Sequence, residues 1–158
     1  MKTSTLSILV AMSLAAAALS PTSARAVDNV TSSDAPDLTS VRAKIKAKDY
    51  KGALAELTPM LATHQHADVY NLMGFSLRKT GDYGQAYTFY RKALDFNPEH
   101  KSALEYLGEL YVETGQIEKA RENLALLKKL CPNGCEELED LEQAVAAATK
   151  PNAAAKGN

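Results

Sequence analysis

Two stretches of this chain, 34 residues apart, set like residues in like order. Residues 67–98 read ADVYNLMGFSLRKTGDYGQAYTFYRKALDFNP. Beneath them, residues 101–132 place Leu104 under Tyr70, Leu107 under Met73, Gly108 under Gly74, Tyr111 under Leu77 and Gly115 under Gly81. Further on, Ala120 falls under Ala86, Leu124 under Tyr90, Leu127 under Ala93 and Pro132 under Pro98. A fixed period of this length marks stacked helix-turn-helix units, none of which can bury its apolar face alone. An all-α array follows from the period by itself.

Inside each unit the apolar positions recur at three- and four-residue steps, as one face of a helix requires. Residues 68–79 and 83–96 read as two helices, divided by Gly81 as a left-handed cap and Asp82 as an N-cap, and stopped by Asn97-Pro98. Residues 102–114 and 117–130 repeat the arrangement around Gly115, before Pro132-Asn133-Gly134 turns the chain. A weaker copy precedes them at 37–66. There Asp49-Tyr50-Lys51-Gly52-Ala53-Leu54 matches the turn at 82–87, but Val41 stands where the others have Gly74 and Gly108, and Lys48 where they have Gly81 and Gly115. Pro59 inside its second helix predicts a kink or early stop, then a longer junction at 63–66 than at 97–100. Residues 135–147 carry Leu138, Leu141 and Val145 on one face and acids elsewhere, the pattern of a capping helix, and 148–158 read as a disordered tail.

The order of large apolar or aromatic residue, apolar, Gly and aromatic, then Gly, Ala, aromatic, Ala and Pro, resembles the tetratricopeptide repeat family over residues 39–145. The resemblance implies a right-handed helix-turn-helix solenoid of about three repeats plus a C-terminal capping helix. It places a domain at 37–147, with repeats at about 37–66, 67–100 and 101–134 and the cap at 135–147. It also implies a protein-interaction scaffold without chemistry of its own, holding a peptide or partner helix in a concave groove lined by the first helix of each repeat.

Carried onto this sequence, the groove positions are Leu38, Arg42, Ile45 and Lys46, then Asp68, Asn71, Phe75, Arg78 and Lys79, then Ser102, Glu105, Glu109, Val112 and Glu113. Such a groove runs from basic to acidic, with Phe75 as an exposed anchor that lacks a core partner. Glu105, Glu109 and Glu113 follow one another at four-residue steps, a row that repels itself by a few tenths of a kcal/mol per pair. Either a basic stretch of a partner or bases of the neighbouring repeat should offset it. Family members that grip a C-terminal carboxylate spread bases over three repeats; the third repeat here is acidic, so that ligand is not expected.

The first residues belong to a different logic. Lys2 precedes an apolar run from Leu6 to Leu19, and a polar stretch then ends in Ala24-Arg25-Ala26, so residues 1–26 read as a secretory signal peptide. The run is too short to span a bilayer core, which needs about 20 apolar residues. The expected address is periplasmic or secreted, with a flexible lead-in at 27–36 and no membrane span in the mature chain. Removing Lys2 and Arg25 leaves a mildly acidic protein, and no basic stripe suits nucleic acid. The expected partner is a protein or peptide in the cell envelope, or a second copy of the chain, since about three repeats is near the minimum for a stable array.

In an oxidising compartment the pair Cys131-Pro132-Asn133-Gly134-Cys135 reads as a disulfide tethering the cap. The alternative use of these cysteines, or of His64 and His66, is metal or redox handling, although no C-x-x-C motif is present. No set of nucleophile, base and orienting group, no phosphate loop and no paired catalytic carboxylates can be read, so neither enzyme activity nor a cofactor is expected.

Overall fold

The computed structural model describes residues 35–150 and contains seven helices. They are α1 (Thr39–Lys46), α2 (Tyr50–Thr63), α3 (Ala67–Lys79), α4 (Tyr83–Phe96), α5 (Lys101–Glu113), α6 (Ile117–Leu130) and α7 (Glu136–Thr149). No strand occurs among the described residues. The expected signal peptide at 1–26, residues 27–34 of the lead-in and residues 151–158 of the tail lie outside them. No described helix is long and apolar enough to cross a membrane.

Local chemistry sets the helix ends. Gly81 and Gly115 take φ of +89° and +73°, the left-handed geometry that reverses the chain between the helices of a repeat. Lys48 adopts the same geometry at +60° without being glycine. Asp49 and Asp82 then accept from the backbone N–H of Gly52 and Gln85 at 2.9 and 3.1 Å. Between repeats, the Nδ1 atoms of His66 and His100 accept from Asp68 and Ala103 N–H groups at 3.2 and 3.1 Å, capping α3 and α5.

Packing follows the period. Leu57, Tyr70, Tyr90, Leu107, Leu127 and Leu141 are fully buried, one large side chain for nearly every helix. A Cβ on Gly74 would lie 2.7 Å from the Tyr90 ring, so α3 and α4 approach through glycine. At Gly108 the close neighbour is Leu141 of α7, 2.5 Å from such a Cβ, because Leu124 of α6 stands where repeat two has the longer Tyr90. The amide of the buried Asn123 on α6 donates to the Leu104 carbonyl of α5 at 2.9 Å, so this polar group is satisfied where the two helices meet.

Four expectations are corrected. Pro59 neither stops nor shortens α2, which runs on to Thr63. Pro59 and Ala55, whose carbonyl loses its partner, are both exposed, so the stranded carbonyl lies on the side of the helix open to solvent. The junction after α2 is therefore shorter, at 64–66, than the one at 97–100. Leu38 is core, 5% exposed beside Val41, and lines no groove. Finally, α7 reaches Thr149, where the Thr149 hydroxyl donates to the Val145 carbonyl at 2.9 Å, so Ala148 and Thr149 are helix and not tail.

Candidate partner-binding face

The first helices of successive repeats, α1, α3, α5 and α7, are stitched together by side chains from the predicted groove positions. Arg42 of α1 meets Asp68 of α3 at 3.6 Å, and Asp68 also accepts from His100 Nε2 at 2.8 Å. Since His100 Nδ1 accepts a backbone N–H, the proton of the neutral ring is fixed on Nε2. The hydrogen bond from His100 is the main reason that the Asp68 carboxyl titrates below the usual carboxylate range. One repeat further, Arg78 of α3 holds both Glu109 and Glu113 of α5, the latter at 2.9 Å. Arg78 is 4% exposed, so the base that offsets the glutamate row comes from the chain itself.

Glu105 is the exception in that row. It is 6% exposed and has no hydrogen bond or ion pair among the described residues. Burial, and then the nearby charges of Glu109, Asp140 and Glu137, push its pKa up to about 8, against which Arg78 is too small a counterweight. Tyr106 beside it is raised to about 12, mainly by burial and then by Glu105 and Glu109. Three polar atoms buried in this region of the fold have no partner: Asn71 Oδ1, Arg78 Nε and the Tyr90 hydroxyl. Asn71, 3% exposed, does not line an open groove as the sequence suggests.

Phe75 is also not the isolated exposed ring expected. It is half-buried, with its centroid 4.8 Å from Tyr106 and 6.2 Å from Tyr50. Arg78 and Lys79 lie over its ring at 5.7 and 5.2 Å. The aromatic partner that the sequence reading lacked is Tyr106, 31 positions on and one residue outside the predicted groove set. Lys46, Lys79 and Glu113 remain exposed; Ser102 and Val112 are half-buried, as is Ile45 against the core.

A sequence profile of the family described as tetratricopeptide repeat (TPR) matches residues 77–145. Residues 77–145 carry tetratricopeptide repeats. It is 34% identical over 80 residues to the BBSome complex member BBS4 of Bos taurus, which accounts for 51% of this chain. The match spans 15% of the length of that curated relative. Among solved structures, the second TPR domain of human RPAP3, in complex with the HSP70 peptide SGPTIEEVD, superposes with a TM-score of 0.59 at 16% identity, over 67% of this chain and 89% of that one. The Yersinia enterocolitica type III secretion chaperone SycD, in complex with a peptide of the translocator YopD, gives 0.59 at 16%, over 70% and 84%. At these identities the likeness is one of fold.

Elsewhere on the TPR array, Cys131 and Cys135 are joined, with Cα atoms 5.8 Å apart, across the turn that leads into α7. His64 contacts the Thr63 hydroxyl, and one nitrogen of His66 is taken up by the α3 cap. Among the described residues no group of three or more His, Cys, Asp or Glu side chains is placed to hold a metal ion. A cavity of about 440 Å³ opens at the repeat junctions, walled by His66, Asp68, Phe96, His100, Ser102 and Glu137.

Proposed function

We propose that this chain is an exported interaction scaffold that holds an extended peptide or a helical segment of a partner protein along the face of α3, α5 and α7. The observation that carries the reading is the Phe75–Tyr106 ring pair, half-exposed between Lys79 on one side and the carboxylates of α5 on the other. It offers apolar purchase inside a charged rim, the anatomy of a small recognition site. The peptide complexes of RPAP3 and SycD support it, since two proteins of unlike origin hold peptides with this fold. The peptide SGPTIEEVD is acidic, however, and the acidic α5 and α7 of this chain suit a partner of different charge. The reading is one of binding, with no bond made or broken.

A photo-crosslinking residue placed at Lys79 or Ser102 should yield the same discrete adduct in cells, and one placed at Arg91 on α4 should not. Adducts formed equally from all three sites, or only from Arg91, would remove the face from consideration. An adduct of twice the chain mass would make the partner a second copy. Residues 1–26 support export to the cell envelope, with the disulfide closed there. N-terminal sequencing of the mature protein should begin at Val27; retention of Met1 would end that part of the reading.

A further inference from the structure

We infer that the α3–α5–α7 face takes one lysine or arginine side chain of its partner against Glu105, beside the Phe75–Tyr106 rings. The inference rests on the reading above and names the chemistry of the occupant.

Charge balance is the first ground. Glu109 of α5 and Glu137 and Asp140 of α7 all act on Glu105 with like charge, and the base that opposes them, Arg78, is already committed to Glu109 and Glu113. From α3 only Arg78 opposes the charge on Glu105; α7 contributes Glu137 and Asp140, and α5 itself contributes Glu109. Glu105, a residue only 6% exposed, sits among the charges of Glu109, Asp140 and Glu137 and has no hydrogen bond or ion pair among the described residues, a costly arrangement for a fold to keep. A cation from outside offsets that cost; an anion or an apolar group does not.

A second ground is independent of the acids. The Tyr90 hydroxyl, on a side chain with 0% exposure, reaches the same cluster from α4, next to Arg78 and Glu109, and has no hydrogen-bond partner. The rings themselves already accept cations, since Arg78 lies 5.7 Å from the Phe75 centroid and 5.8 Å from that of Tyr106. A metal ion is the poorer occupant, because no three ligating side chains among the described residues converge here. When the ammonium or guanidinium docks, Glu105 gives its proton to the solvent and becomes the paired carboxylate. Binding should therefore release a proton near neutral pH and strengthen as pH rises.

Three nonapeptides of Gly, Ser and Leu, with lysine, norleucine or glutamate at the centre, serve as probes for the full mature chain. The lysine peptide should bind with proton release and should lower the titration midpoint of the Glu105 side-chain carbon resonance by at least about one pH unit. Glu105→Gln should weaken the lysine peptide by at least about tenfold and leave the norleucine peptide unchanged. Equal binding of the lysine and norleucine peptides, with the Glu105 resonance unmoved, would overturn the cation site while leaving the peptide-holding face intact. Failure of all three to bind would overturn both. The resonance measurement needs no variant, so it decides the matter even if Glu105→Gln folds poorly.

Discussion

Lys48 turns the chain with a left-handed backbone that its two counterparts reach through glycine. An L-residue there carries a steric cost of about 1–2 kcal/mol, which the lost backbone entropy of glycine only partly returns. Lys48→Gly should therefore stabilise the protein by about 0.5–1 kcal/mol, read as a higher Tm or urea midpoint. Glu105 predicts a dependence on pH. Its folded pKa of about 8 lies above the ordinary 4.5, so the folded state holds the proton more tightly than the unfolded chain. The stability it contributes is complete below 4.5 and is lost as pH rises through about 8. Thermal melts of the free protein should fall in Tm across that interval, and Glu105→Gln should flatten the fall. An equal slope in the variant would show that another group is responsible.

At the level of elements, sequence period and structure coincide where a helix is fixed by its own residues. Helices α4 and α6 fall where the spacing puts them, and Gly81, Asp82 and Gly115 act as their local chemistry dictates. The face was less legible. Helical spacing says which side of α3 carries Asn71, Phe75 and Arg78, but how deeply each sinks depends on what α5 presents opposite. That partner is a ring at Tyr106 and two carboxylates at Glu109 and Glu113, so Arg78 lies buried and Phe75 half-covered. Pro59 misled for a related reason: its cost depends on whether water reaches the stranded carbonyl, and exposure is a property of the packed array. The Cys131–Cys135 link closes a short loop in front of α7. Replacing both cysteines by serine should cost about 2 kcal/mol through the unfolded chain. Amide exchange should quicken first in α7, where the bridge acts; uniform quickening would contradict this.

Across the whole molecule, stability passes from each repeat to the next, as expected of a quasi-one-dimensional stack. Leu141 is the seal at one end, fully buried and pressed against Gly108. Leu141→Ala should cost about 2–5 kcal/mol, with a lower urea midpoint and an unchanged slope if the array still melts as one unit. A shallower slope would mean that α7 melts separately.

The contact at Gly108 has a consequence for growth. Helix α7 keeps the 34-residue register, with Leu138 and Leu141 in the places of Leu104 and Leu107, so it is the opening helix of another repeat. In the place of Gly108, however, it carries Glu142, paired with Lys128 at 2.9 Å. Any helix trying to nest there would meet a charged side chain where the two earlier repeats offer bare backbone. The exposed flank of α7 is thus charged and already paired at the position where those two repeats present glycine.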